Sequence, residues 1–248
     1  MELTVVIPSF GLTALLRACL FHLEAGLQAA DISRYAIAVV DNGSVVPYRS
    51  DQFPCDNLAL VRLDKRTSFS RACNVGASSS PSRRYLFLNN DVLLQKDALR
   101  DMLQLFARPN VAVCGARLVY PDDLIQHCGV RFDAGPRGCY HEYHRRPSSS
   151  VSRAVRDFQA VTGAVFLVDG DLFGSLGGFD EAFPFGYEDV DFCLRARQIG
   201  AAVTCSQAVD SIHFSGTSNQ DPSRQDASRA VFFRRWANRF SIDGTISE

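Results

Sequence analysis

The 248-residue sequence has no two cysteines at the short spacing of a zinc ribbon or a redox CxxC: Cys19, Cys55, Cys73, Cys114, Cys128, Cys139, Cys193 and Cys205 are scattered along it. They read as reduced, mostly buried small hydrophobes in a reducing compartment. Long apolar runs are also missing. Residues 36–40 and 164–168 are among the longest, far short of the roughly 18 to 20 residues that span a bilayer. Met1 and Glu2 lead straight into an apolar stretch without a basic start, so no signal peptide is expected. There is no phosphate loop GxxxxGK[ST], no GxGxxG after a strand and no GxSxG. Phosphate-loop kinases, ordinary dinucleotide dehydrogenases and α/β-hydrolases thereby lose their usual signatures. Nor is there an excess of one charge: 26 Lys+Arg stand against 27 Asp+Glu, a net charge of -1. A protein wrapped in nucleic acid is therefore not expected. These absences leave a cytoplasmic protein, free or peripheral at the inner face of the cell membrane.

With 46% hydrophobic and 21% charged residues the chain has material for a real core. At roughly 150 residues per domain, the length allows one large domain or two small ones. Residues 1–120 alternate β-branched runs with amphipathic stretches, the pattern of parallel strands joined by helices. The pattern predicts a strand over 3–7 ended by Pro8, a helix over 12–29, and a strand over 35–40 entering the turn Asp41, Asn42, Gly43, Ser44. A strand over 58–63, a helix over 69–79 and a strand over 85–88 that stops at Asn89, Asn90 and Asp91 follow. A helix over 96–107 and a strand over 111–118 complete this half. The expected class is α/β: a Rossmann-like domain with a mostly parallel central sheet and helices on both faces. The rhythm breaks over 121–152, rich in Gly, Pro, Arg, His and Ser, and the 147–150 stretch reads as mobile. Regular structure is expected again over 160–168, 170–176 and 190–199, the last closed by Gly200.

Three spots carry chemistry. Asn89, Asn90 and Asp91 follow a strand directly, where open α/β sheets bind ligands and where a carboxylate can hold a hard divalent cation against nucleotide phosphates. An Asx-rich turn explains the same residues equally well. Glu188, Asp189 and Asp191 follow Asp180 and Glu181, interleaved with glycines and aromatics. Acids at a helix start serve as caps, which accounts for one or two of the five. A carboxylate beside Phe183, Phe185 and Tyr187 can also have its pKa raised into the range of a general base. His213, in the run from Ser211 to Ser218, is a structural residue unless it converges with Asp91.

In this order and spacing the pieces resemble an inverting nucleotide-sugar glycosyltransferase of family 2, with a GT-A fold, over about residues 3–218. Val5 to Ser9 is similar to the family's opening strand, Val39 to Ser44 to its base-binding strand end, and Asn74, Val75, Gly76 to its Asn-x-Gly. Phe87 to Asp91 is similar to the Asp-x-Asp metal motif, with Asn89 in place of the first Asp. Gly177 to Glu181 with Tyr187 to Arg195 is the most specific likeness, and His213 to Ser218 fits a His-x-x-Gly-x-Ser segment. The segments 120–129 and 161–164 are similar to the subgroup that builds bacterial cell-surface polysaccharide, rhamnosyl- and galactosyltransferases included.

The resemblance implies Mg²⁺ or Mn²⁺ held by Asp91 and His213, and Asp189 as the base that deprotonates an acceptor hydroxyl in one displacement. It implies nucleotide contacts from Pro8, Ser9, Asp41, Asn74 and Asn90, and donor or acceptor contacts from Gly163, Glu188 and Asp191, although Asp191 could instead cap the helix or pair with Arg195. The partners implied are a nucleotide-sugar donor, with dTDP-rhamnose favoured, and a saccharide or lipid-linked saccharide acceptor. Galactose or an N-acetylhexosamine from a UDP-sugar is the alternative, and a non-catalytic nucleotide- or glycan-binding module is a remoter one. A nucleotidyltransferase would need a Gly-rich basic loop after the first strand, which Ser9, Phe10, Gly11 and Leu12 do not make.

Since Asp91 and Asp189 must meet on one substrate, one domain is expected over 1–248. It would comprise a nucleotide half (1–118), an acceptor half (119–220) and a basic amphipathic helix with a tail (221–248). The stretch 226–240, from Asp226 to Phe240, mixes Val231, Phe232, Phe233 and Trp236 with Arg229, Arg234, Arg235 and Arg239. It suits an anionic membrane surface or, equally, a helix packing its aromatics on the domain.

Overall fold

The structure is a computed structural model that describes residues 1–216 and 222–244. Its strands are β1 (Leu3–Ser9), β2 (Tyr35–Asn42), β3 (Leu58–Leu63), β4 (Arg84–Leu88), β5 (Val92–Leu93) and β6 (Val111–Val119). They continue with β7 (Ile125–His127), β8 (Val130–Phe132), β9 (Cys139–His141), β10 (Arg156–Phe158), β11 (Val165–Asp169) and β12 (Ala202–His213). The helices are α1 (Thr13–Ala29), α2 (Phe69–Ser79), α3 (Ala98–Leu105), α4 (Gly170–Ser175), α5 (Glu188–Gln198) and α6 (Pro222–Trp236).

One sheet runs in the order β10-β12-β6-β11-β4-β1-β2-β3, with β5 on β12 and β7 on β6. The half from β3 to β4 is parallel throughout. Strand β11 enters antiparallel between β4 and β6, after which β6 and β12 pair parallel again. Continuous apolar strands are what burial on both faces requires: Val5, Val6 and Ile7 are fully buried. Helix α1 covers one face with Leu16, Leu20, Leu23 and Leu27 at helical spacing, joined there by Leu99 and Met102 of α3. The other face is aromatic: Phe87, Phe166, Phe173, Phe179 and Phe192 pack with ring centroids 4.9–6.4 Å apart beneath α4 and α5.

Three expectations need correcting. Pro8 does not end β1; pairing with β4 stops at Val6, so Pro8 faces β2 alone, where a missing N–H is tolerated as on an edge. Asp41 and Asn42 belong to β2 rather than to the turn. The 121–152 region is built, not mobile. It holds β7, β8 and β9, and Ser148 is buried beneath fully buried Arg117, whose Nη2 donates to the Ser148 carbonyl at 2.8 Å. A buried guanidinium needs such acceptors, and a Ser-rich composition does not reveal that one is near.

Candidate active site

The metal-capable pair is assembled by a strand pairing. After β4 ends, β5 pairs antiparallel with the last residues of β12, His213 opposite Val92, and the Phe214 amide donates to the Asp91 carbonyl at 3.1 Å. This brings His213 Nε2 to 3.1 Å from Asp91 Oδ1, with both side chains nearly buried. On the far side of the ring, His213 Nδ1 lies 2.8 Å from Gln126 Oε1 on β7. The amide oxygen accepts a hydrogen bond from Nδ1–H, which leaves the Nε2 lone pair on the Asp91 side of the ring. Two lone-pair donors facing each other fit a cation between them. Among the described residues no third His, Cys, Asp or Glu completes a cage, which suits a small hard cation that takes its other ligands from phosphate oxygens and water. Asn89, the departure from Asp-x-Asp, has its Nδ2 3.5 Å from His213 Nε2.

Asp91 and His213 open into a cleft of about 250 Å³. Pro8, Ser9 and Asn90 line it, and Asn90 Nδ2 donates to Ser9 Oγ at 2.8 Å. Gly163, Glu188 and Asp189 line it as well. The left-handed Tyr187 (φ 69°) turns the chain into α5. Asp189 then sits in the first helical turn, where free amides and the dipole favour an anion. Asp189 Oδ2 accepts from the Gly163 amide at 2.6 Å and Oδ1 from the Val190 amide at 2.8 Å. A Cβ at position 163 would meet Asp189 Cβ and Phe69 Cε1 at 3.4 Å, an ordinary van der Waals contact, so the approach rests on the Gly163 amide rather than on a missing side chain. Burial raises the pKa of Asp189, opposed by those two amide bonds. Glu188 is 5% exposed and its Oε2 has no hydrogen-bond partner among the described residues. Burial, with the Asp189 charge beside it, pushes its pKa up to about 8.

Three predicted site residues stand outside the cleft lining. Asp41 accepts from the Ser44 and Tyr48 amides at 2.9 and 3.1 Å and from Arg62 Nη1 at 2.6 Å, so its carboxylate closes the 41–48 loop. Asn74 accepts from the Phe179 amide at 3.0 Å and donates to its carbonyl at 2.8 Å, clamping the Gly178–Phe179 turn. Asp191, fully buried, accepts from Arg195 Nε at 2.8 Å, Arg235 Nη1 at 2.7 Å and Trp236 Nε1 at 2.9 Å. The helix-pairing alternative for Asp191 therefore holds, and α6 adds a second arginine. Conversely Arg66, Thr67, Phe69 and Arg224 line the cleft without having been singled out. The basic Lys65–Arg66 step after β3 is the one signal that could have marked them. Thr217 and Ser218, the end of the His-x-x-Gly-x-Ser segment, lie outside the described residues.

A family model described as Glycosyl transferase family 2 matches residues 4–127. The chain belongs to glycosyl transferase family 2. Its relatives include the O-antigen biosynthesis protein RfbC of Myxococcus xanthus, 26% identical over 230 residues, covering 88% of this chain and 18% of the relative. They also include a pre-mycofactocin glycosyltransferase of Mycobacterium tuberculosis, 29% identical over 209 residues, covering 81% of this chain and 40% of the relative. The chain thus spans less than half the length of these relatives. Among solved structures, GalNAc-T7 with UDP, GalNAc and Mn²⁺ superposes with a TM-score of 0.69 at 14% identity, covering 95% of this chain and 48% of that one. The mannosyltransferase PcManGT from Pyrobaculum calidifontis, in complex with GDP-Man and Mn²⁺, gives 0.62 at 15% identity, covering 97% and 76%. These likenesses show the fold: a family 2 domain with the GT-A architecture.

The 226–240 stretch takes the packed form. Phe232 and Trp236 are buried, and Arg235 bridges Asp180 and Asp191 at 2.5 and 2.7 Å. Among the described residues no helix is long and apolar enough to cross a membrane.

Proposed function

We propose that this chain is an inverting, divalent-metal-dependent glycosyltransferase of bacterial cell-surface polysaccharide synthesis. It moves a sugar, rhamnose from dTDP-rhamnose by the subgroup likeness, to a saccharide or lipid-linked saccharide acceptor. The observation that carries this reading is the opening of Asp91 and His213, 3.1 Å apart, into the same cleft as the half-buried carboxylate Asp189. The O-antigen relative supports the setting. Peripheral membrane contact would run through Arg234 and Arg239, both exposed on the 226–240 stretch.

Bound Mg²⁺ or Mn²⁺ would supply neutralising charge to the departing nucleoside diphosphate. Asp91 and His213 would hold it. Pro8, Ser9 and Asn90 wall the nucleotide side, and Arg66 adds a positive charge with a planar fork suited to phosphate oxygens. Asp189 receives the acceptor proton. One amide on each of its oxygens fixes the carboxylate plane and leaves a lone pair on each for an incoming O–H. Burial makes it the stronger base, opposed by the two amide hydrogen bonds. Glu188, neutral at pH 7, offers its unpartnered Oε2 to a sugar hydroxyl. One base opposite the leaving group is enough for a single displacement, and no paired glycosidase carboxylate is required. Asp41, Asn74 and Asp191 act from behind by holding the loops and helices in place.

The test is nucleoside-diphosphate release from dTDP-, UDP- and GDP-sugars with Mg²⁺ or Mn²⁺ and an extract of cell-envelope saccharide and lipid as acceptor source. At least one donor is expected to turn over and to stop with chelator. Nucleotide binding without turnover of any donor would point to a binding module instead, and turnover indifferent to chelator would refute metal dependence.

A further inference from the structure

Behind Asp189 lies a second and larger cavity, about 550 Å³, which shares Thr162, Gly186 and Asp189 with the donor cleft. The carboxylate that receives the acceptor proton is thus the partition between the two. The walls of the second cavity differ in chemistry from those of the first. Tyr140 and Tyr187 offer aromatic faces, and Arg137, Arg229, His141, His144 and Gln225 offer side-chain N–H donors. The carboxylates that face them are Asp189 and Asp226.

Both arginines sit beside Tyr187, whose hydroxyl titration each of them shifts. Arg137 lies in the β8–β9 hairpin turn. The Tyr187 hydroxyl donates to its carbonyl at 3.1 Å, and the following Gly138 (φ 73°) backs onto Phe232 and Phe233. Its backbone is therefore anchored, while its guanidinium has no ion-pair partner among the described residues. Arg229 on α6 pairs at 2.9 Å with Asp226, both partners well exposed (42% and 68%). Such a pair is weak and easily exchanged.

The histidines contribute donors without charge. The Thr162 amide donates to His127 Nε2 at 3.4 Å, so the other nitrogen of His127 carries the proton and donates across 2.9 Å to His141 Nδ1. His141 then presents Nε2–H. Burial and the neighbouring histidines hold the pKa of His141 down to about 4, so this donor is neutral throughout the physiological range. His144, next to Arg145 and Arg137, is also held below the ordinary imidazole value, by burial first. The fixed positive charge of the cavity is accordingly arginine, whose planar fork matches oxyanions.

Resting on the transferase reading above, we propose that the 550 Å³ cavity takes the acceptor, and that the acceptor is an anionic saccharide whose phosphate or carboxylate oxygens sit on Arg137 and Arg229. Its sugar ring lies against Tyr187, with one hydroxyl reaching His141 Nε2–H and another Asp189. Arg137 is exposed, and an anionic group gives it an ion-pair partner beside the Arg229–Asp226 pair that a neutral glycan does not.

Calorimetry on the whole chain tests this, with chelator present so that the donor cleft holds no metal-bound phosphate. The probes are methyl phosphate, methyl β-D-glucuronide and the neutral methyl β-D-glucoside. At least one anionic probe is expected to bind about tenfold more tightly than the glucoside, an arginine–oxyanion margin. Whichever probe does so distinguishes phosphate from carboxylate. R137Q/R229Q should erase the margin and R137K/R229K should restore part of it, while metal-dependent nucleotide binding stays at the wild-type level. R66Q should leave the margin intact, since Arg66 lines only the donor cleft. A glucoside that binds as tightly as both anions, or a margin that survives R137Q/R229Q, overturns the proposal. A margin lost in R66Q does so too, because the anion would then lie in the donor cleft. Absence of donor turnover alongside an intact margin would instead count against the transferase reading alone.

Discussion

The two walls of the proposed active site are held in different ways. On the wall assigned above to the nucleotide, Ser9 and Asn90 sit at or just beyond strand ends, and the ladder pairing β1 with β2 and β4 sets their positions. On the wall assigned to the acceptor, Asp189 sits at the first turn of α5, and that helix is tied down by side chains. Asp191, one turn in, gathers Arg195, Arg235 and Trp236 from two helices. A backbone ladder tolerates many side chains because every residue carries the same N–H and C=O. A buried charge network tolerates few, because one loss leaves the others uncompensated. The nucleotide wall should therefore be robust to substitution behind it, and the acceptor wall brittle.

The largest effect belongs to the partition itself. Asp189→Asn should lower donor turnover by about 10²–10⁴-fold, the range of a lost general base, with nucleotide affinity unchanged in calorimetry. Turnover within a few fold of wild type would remove Asp189 from the reaction. Next, Asp191→Ala should cost about 3–5 kcal/mol in urea unfolding, since it removes the shared acceptor of Arg195, Arg235 and Trp236 and leaves the 19%-exposed Arg195 without its carboxylate, although Arg235 keeps Asp180. Asp41→Ala also loses a buried carboxylate, but its partner Arg62 is 37% exposed and returns to water more readily, so a smaller loss is expected. Equal losses would erase the contrast between the walls.

Gln126→Leu sharpens the comparison from the side of the metal pair. Removing the acceptor at His213 Nδ1 should weaken Mn²⁺ affinity about 10–100-fold, as outer-shell partners of histidine ligands do. Electron paramagnetic resonance of free Mn²⁺ reads this directly, and an unchanged affinity would show that Gln126 does not set the tautomer.

A smaller effect is expected at Glu188. Its carboxyl binds a proton more tightly in the folded chain, near pH 8, than in the unfolded one, near 4.5. The stability it contributes is therefore whole below about 4.5 and lost as pH rises toward 8. Glu188→Gln should flatten that decline, raising Tm at pH 8 relative to pH 5 by a few degrees, about 2–4 °C per kcal/mol for a chain of this size. Parallel Tm–pH curves for variant and wild type would contradict the raised pKa. Smallest of all is membrane contact. With Phe232 and Trp236 buried, flotation with anionic vesicles should show binding at low salt that disappears near physiological ionic strength. Binding that persists there would mean an apolar face inserts after all.

The contrast between the walls also explains what could be read in advance. Strands β1 to β4 and helices α1 and α2 lie within two residues of where periodicity puts them, because a two-face-buried strand must be apolar and a one-face-buried helix must show its stripe. The 121–152 region defeated the same reasoning. Its order comes from Arg117 binding Ser148 and from Arg131 and Arg156 sharing Glu142, contacts between residues far apart in sequence. The site divides likewise. Asp91, His213, Asp189, Glu188, Gly163, Pro8, Ser9 and Asn90 do line the cleft. Asp41, Asn74 and Asp191, acids and amides of the same types, turn away, and residue type alone does not say which way a carboxylate faces.

By itself, then, the sequence determined the α/β class, the apolar faces and the set of residues that carry oxygen and nitrogen ligands, since these follow from local period and composition. Only the tertiary structure decided which of them meet. The β5–β12 pairing brings His213 to Asp91, Gln126 directs the imidazole lone pair, and Asp189 stands between two cavities because α5 begins there against Gly163. The physical reason is that hydrogen bonds and ion pairs act over about 3 Å, a distance that sequence spacing does not encode until the sheet has closed it.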